Sequence, residues 1–119
     1  MGRFPHHQLR DSCVPDTSVV VQIAYTAQPQ RAGVACRELS DLIATVVATE
    51  PDCLGIELLE DPVDPNRLLL WERWTSQAAY TGPHMQTAHL QAFIGRAAGF
   101  LAGPPQITFW RPLEDHRRA

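Results

Sequence analysis

A chain of 119 residues with 45% hydrophobic and 19% charged side chains has the composition of one globular domain, with room for a single modest core. Its formal charge of −3 gives no electrostatic footprint for nucleic acid or for an anionic membrane surface. No apolar run approaches the ~20 residues of a membrane span, and the opening MGRFPHHQLRDSCVPDTS lacks the apolar stretch of a secretory signal, so a cytoplasmic location is expected.

Residues 1–17 are polar, carry Pro5 and Pro15, and show no period; they are expected to form a flexible N-terminal arm. VVVQIAY (19–25) is β-branched and aromatic and predicts a strand. TAQPQ turns the chain. Over 31–49 the apolar residues Val34, Leu39, Leu42, Ile43, Val46 and Val47 recur at helical spacing, and Glu50-Pro51-Asp52 ends that helix. CLGIELLE (53–60) and RLLLWERW (67–74) read as strands joined by the turn residues DPVDPN (61–66). Thr75 or Ser76 is placed to cap a short helix through Ala78 to Tyr80, which Gly82-Pro83 interrupts. A second long helix is predicted from His84 to Leu101, with Leu90, Phe93, Ile94, Ala97 and Leu101 on one stripe. Gly103-Pro104-Pro105 stops it, QITFW (106–110) forms the last strand, and 113–119 is a tail. The paired His6-His7 and the His116 group belong to solvated termini.

The order β-α-β-β-α-β predicts an α+β, ferredoxin-like domain over 18–112: one four-stranded antiparallel sheet with both helices on one face. Runs such as VVVQIAY and RLLLWERW leave apolar side chains on the other face as well. A second copy of the sheet would cover them, so a homodimer is expected. Trp71 and Trp74 are three residues apart on one strand and point to opposite faces. Trp71 and Trp110 are assigned to sheet packing or the dimer interface, and Trp74 to the helical side.

Cys13, Cys36 and Cys53 form no CxxC pair and are odd in number, which favours incidental or buried thiols. There is no GxGxxG or phosphate-binding loop. His84 and His89 are five residues apart, not the four that put two imidazoles on one helical face, so no metal site is expected.

The segment EPDCLGIELLEDPVDPNRLLLWERWTSQAAYTGPHMQTAHLQAF resembles the antibiotic biosynthesis monooxygenase family of dimeric α+β barrels. The resemblance rests on Glu50-Pro51 with Gly55, Asp64-Pro65, Glu72 with Trp74, Ala78, His84, Thr87, His89 and Phe93. The closing LAGPPQITF is similar to small polyketide-tailoring members that oxidise anthrones and related phenols. In those relatives a Trp at the end of strand three and a Tyr six residues later line the pocket, as Trp74 and Tyr80 stand here. Two positions depart from that pattern: the Asn four residues before the Trp is Leu70, and the strand-one Asn falls on about Ile23, with Gln22 as the nearest amide. The positions used by the haem-degrading branch fall near Ile23, Pro83 and Phe93, and Phe93 cannot ligate iron.

The resemblance implies a monooxygenase acting with molecular oxygen on a small aromatic polyketide or quinol, angucycline ring opening among the reactions. It would hold no tightly bound cofactor, or take reduced flavin as an external co-substrate. A small-carbonyl isomerase or lyase, a haem-binding barrel and a ligand-binding barrel without turnover are the alternatives. An electron-rich phenol can be its own reductant once deprotonated; the protein then needs a proton acceptor and a dry aromatic pocket. His84, His89, Trp74 and Tyr80 form the candidate catalytic set. Gln22, Tyr25, Leu70, Glu72, Phe93 and Arg96 form the candidate substrate wall. Each has an ordinary structural reading beside this one: a helix start for His84, core for Trp74, an ion pair for Glu72, a solvated face for Arg96.

Overall fold

Strand β1 (Val19–Thr26) lies inside the sheet, and its alternation decides which residues meet the helices. In the computed structural model, which describes residues 17–118, Val19, Val21, Ile23 and Tyr25 are buried on the helical side. Val20, Gln22, Ala24 and Thr26 take the other side. With β2 (Cys53–Glu60), β3 (Arg67–Trp74) and β4 (Gln106–Trp110), the sheet order is β2-β3-β1-β4, every neighbour antiparallel. The four-stranded ferredoxin-like α+β order is therefore the one predicted.

Helix α1 (Ala32–Thr49) turns Ala35, Leu39, Leu42 and Val46 into the core at steps of three and four residues. It stops at Glu50, which has an extended backbone and is followed by Pro51, a residue that cannot continue the hydrogen-bond ladder. Helix α2 (Gln77–Thr81) is capped by Ser76, whose hydroxyl accepts the Ala79 N–H at 3.1 Å. Gly82 follows. A Cβ there would come within 2.9 Å of the Ala78 carbonyl oxygen, so this tight joint requires glycine.

The second long helix predicted from His84 to Leu101 is shorter and later than expected. Pro83–Gln86 form a 3-10 turn, and α3 spans only Ala88–Ala97. Thr87 leaves helical geometry, with φ −70 and ψ 146, and its hydroxyl accepts the Leu90 N–H, so the helix restarts there. At the far end the Ala97 carbonyl accepts both the Phe100 and the Leu101 N–H, which tightens the last turn. Phe100 and Leu101 remain buried, and Leu101 makes an isolated bridge to Ala27. The apolar stripe was legible, but the breaks within it were not.

On the helix-free side of the sheet, Leu59, Trp71 and Trp110 are exposed, with Trp110 at 56%. Trp71 and Trp74 take opposite faces, as strand parity requires. Except for Thr17, whose hydroxyl donates to the Thr75 carbonyl oxygen at 2.7 Å, the expected N-terminal arm with Cys13, His6 and His7 lies outside the described residues. No helix among the described residues is long and apolar enough to cross a membrane.

Candidate active site

Glu50 ends α1 and stands where the chain turns toward β2. Its carboxylate faces His84 Nδ1, at 2.9 and 3.1 Å from its two oxygens, and His89 Nε2 at 2.6 Å. A carboxylate can only accept, so both imidazoles donate to it, and the neutral His84 ring keeps its Nε2 lone pair. The two histidines do not share a helical face. His84 sits on the 3-10 turn and His89 in the first turn of α3, and a carboxylate from a distant segment draws them together. Glu50 is the functional residue that sequence reasoning missed: it was read as a helix stop and a motif position. Its proximity to the histidines depends on tertiary folding.

Replacing Glu50 with alanine leaves two imidazole N–H groups without this acceptor, one of them on a His84 only 4% exposed. The expected loss is about 1–3 kcal/mol in urea unfolding, with Glu50→Gln losing less because its amide oxygen still accepts one bond. Equal stability of Glu50→Ala and the parent chain would remove the bridge from the structural account.

The His84 ring lies 4.6 Å from the Trp74 ring and 5.0 Å from Tyr80, on which it stacks. Tyr80 meets Trp74 edge-on at 5.6 Å and Phe109 at 5.7 Å. Trp74 is fully buried and its Nε1–H donates to Glu72 Oε1 at 2.8 Å. Strand alternation puts Glu72 on the helical side between Leu70 and Trp74, where it is 3% exposed. Burial pushes its carboxyl up to about 7, against the bond from Trp74 and with a further rise from the Glu50 charge. Burial also raises the Tyr25 and Tyr80 hydroxyls well above the usual tyrosine range, with the Glu72 charge adding to both. Cys53 is a buried thiol pushed up to about 11, chiefly by burial, which suits an inert core position; Cys36 is half-buried.

Between α3 and the sheet lies an apolar cavity of about 710 Å³, walled by Ile23, Tyr25, Tyr80, Met85, Leu90, Phe93 and neighbours, with Gln28 and the Gly103–Pro105 segment at its rim. Behind Tyr80 is a second space of about 20 Å³, bordered by Tyr25, Leu70, Glu72, Tyr80 and His84 among others. Of the four predicted catalytic residues, the fold brings Trp74, Tyr80 and His84 into one cluster, joined to His89 through Glu50. Tyr80 alone of the four lines the large cavity.

The predicted substrate wall divides. Tyr25 and Phe93 line the cavity and meet edge-to-face at 6.2 Å. Leu70 and Glu72 border the small space instead. Gln22 does not join them: one step from Ile23 along β1 puts it on the opposite face, where its Oε1 accepts the Trp110 indole N–H at 3.1 Å. Arg96 is turned away as well, paired with Glu38 of α1 at 2.8 Å. Among the described residues no group of three or more His, Cys, Asp or Glu could hold a metal ion.

The chain is thus an α+β domain of the ferredoxin-like class, with an apolar cavity and, beside it, a carboxylate–imidazole cluster that is partly buried. The profile of the antibiotic biosynthesis monooxygenase family matches residues 18–96, and the chain belongs to that family. The solved structure of PA3566 from Pseudomonas aeruginosa is 27% identical, with a TM-score of 0.75, covering 84% of this chain and 98% of that one. A candidate antibiotic biosynthesis monooxygenase from Caulobacter crescentus is 25% identical, with a TM-score of 0.75, covering 85% and 94%. Rv0793 from Mycobacterium tuberculosis shares the fold at 23% identity and a TM-score of 0.73, covering 85% and 100%. No curated protein matches the chain.

Proposed function

We propose that the protein is a monooxygenase that oxidises an aromatic polyketide or quinol-type molecule in antibiotic biosynthesis, without a tightly bound cofactor. The observation that carries this reading is the cavity of about 710 Å³, a volume suited to a small polycyclic ligand. Its walls are aliphatic and aromatic, and the polar side chains among them are Tyr25, Tyr80 and, at the rim, Gln28. Such walls favour a flat phenol and exclude water from the reactive anion it forms.

The electron balance closes on the substrate. A hydroquinone that takes one oxygen atom at a ring C–H and ends as the hydroxyquinone gives up four electrons. The second oxygen atom leaves as water. A substrate that is not itself a reductant needs two electrons from externally supplied reduced flavin. The protein's part is to bind the ring, accept the phenolic proton and keep the site dry.

The test is oxygen consumption with hydroquinones and polycyclic phenols, with and without reduced flavin, followed by mass spectrometry with labelled oxygen. One labelled atom in the product is expected. Phenols that bind in the cavity but consume no oxygen under either condition overturn the reading; turnover of a small carbonyl compound without oxygen would identify an isomerase in its place.

The open sheet face belongs to the same proposal. Leu59, Trp71 and Trp110 are exposed on it, and a second copy packed sheet to sheet would bury them. The chain is expected to sediment as a dimer at micromolar concentration, and Trp71→Glu to shift it to monomer by placing an unpaired charge in the interface. A monomeric parent chain would refute this arrangement.

A further inference from the structure

The small space behind Tyr80 has a composition unlike that of the cavity in front of it. Its volume of about 20 Å³ suits one water molecule. Four polar side chains border it, Tyr25, Glu72, Tyr80 and His84, and none is more than 7% exposed. Their hydrogen-bonding capacity is only partly used. Glu72 accepts through Oε1 from Trp74, and His84 donates through Nδ1 to Glu50. Among the described residues, Glu72 Oε2, His84 Nε2 and both tyrosine hydroxyls have no hydrogen-bond partner. Buried groups of this kind are ordinarily satisfied by protein or by ordered water. One water could accept from the two hydroxyls and donate to Glu72 Oε2 and His84 Nε2, which completes its own four bonds as well as theirs.

Two of the four, Tyr25 and Tyr80, also line the large cavity. The two spaces are therefore separated by hydroxyl-bearing rings. We propose that one buried water in the small space joins Tyr80 to Glu72, and that Glu72 receives through it the proton a phenolic ligand gives up in the large cavity. The proposal rests on the reading that this cavity takes phenols. The ligand O–H bond breaks and its proton passes to the Tyr80 oxygen; the Tyr80 proton passes to the water; a water proton passes to Glu72 Oε2. The net change is a ligand anion and a neutral Glu72, with Tyr80 and the water restored. Tyr80 is then the catalytic residue touching the ligand, and His84 a positioning residue, held by Glu50 and steadying the water.

The groups around Glu72 are consistent with this role. Tyr25 faces it from β1, Tyr80 from α2, His84 from the 3-10 turn, Cys53 from the start of β2 and Glu50 from the end of α1. Helix α1 presents only Leu42, Ile43 and Val46 to the space. Among the described residues, no Lys or Arg borders the space. With its carboxyl raised to about 7, Glu72 is a better proton acceptor than an exposed glutamate, and acceptance requires its charged form. Ligand ionisation should therefore grow as pH rises through about 7 and fade below it.

The experiment uses 4-nitrocatechol, whose anion absorbs in the visible. The bound probe is titrated from about pH 5 to about pH 9 in the parent chain, Glu72→Gln and Tyr80→Phe, with affinity read from tryptophan quenching. Infrared difference spectra on binding report any newly protonated carboxyl. Expected are a protonated-carboxyl band in the parent chain, its absence in Glu72→Gln, and an anion-to-neutral ratio at least about tenfold lower in both variants, each read with its own saturating probe concentration. Parent-like ionisation in Glu72→Gln overturns the relay, as does the lack of the carboxyl band in the parent chain, which needs no variant to fold. If the proton moves but no oxygen is consumed with any phenol, the monooxygenase reading fails and the relay stands. If Glu72→Gln consumes oxygen at the parent rate and ionises the probe, the relay fails and the monooxygenase stands.

Discussion

Truncating Trp74 to alanine should lower stability by about 3–5 kcal/mol in urea unfolding. Trp74 is the largest of the fully buried side chains, so its loss opens a void against Tyr80 and His84 that the sheet cannot close. It also removes the indole N–H on Glu72 Oε1, the one contribution that lowers the pKa of that carboxyl. The deficit should accordingly be larger at alkaline pH, where Glu72 must be charged, than at acidic pH. Trp74→Phe keeps an aromatic ring in the site and loses the bond, so its deficit should be smaller and still pH-dependent. A Trp74→Ala loss below about 1 kcal/mol would mean that the ring is not part of the core in solution.

The second large effect is on stability as a function of pH. In the fold Glu72 is pushed up to about 7 from the ordinary glutamate value of 4.5, because burial penalises its charge. The folded state thus holds this proton more tightly than the unfolded state does. The resulting stability is fully present below about pH 4.5 and is lost as pH rises through about 7, a change of about 3 kcal/mol at this one group. Glu72→Gln removes the titration while keeping an oxygen for the Trp74 indole. Its stability should exceed that of the parent chain above neutrality, and the gap should close on acidification. Denaturant melts across that range check the sign; parallel curves for the two proteins would show that the carboxyl does not titrate in the fold as described.

Much of the architecture was legible because it depends on local periodicity. RLLLWERW alternates so that Glu72 and Trp74 share a face and Trp71 takes the other, and both placements hold in the sheet. The three- and four-residue steps of α1 likewise sort its buried side. Gln22 shows how far the same rule reaches: alternation from Ile23 already puts its amide on the wrong face to replace an Asn in the cavity. Other features depend on contacts that no period encodes. The stripe Leu90, Phe93, Ile94 and Ala97 reads as a helix face, yet whether it packs flat on the sheet or stands off to enclose a cavity depends on packing across the whole layer. The break at Thr87 was hidden because a capping threonine inside an apolar stripe also reads as a polar residue on a continuous helix. Glu50 was hidden because its partners are 34 and 39 residues away.

That separation has a kinetic consequence. Between Glu50 and His84 lie β2, its hairpin, β3 and α2, so the carboxylate can reach the imidazoles only once that hairpin has formed and α2 has turned back over it. The entropy of closing so long a loop is met by strand pairing before the tie adds anything. Glu50→Ala should therefore leave the refolding rate almost unchanged and concentrate its effect in the unfolding limb of a chevron plot. The two histidines work as a clasp on a finished sheet: they determine how long the folded chain lasts, and have little say in how quickly it arrives.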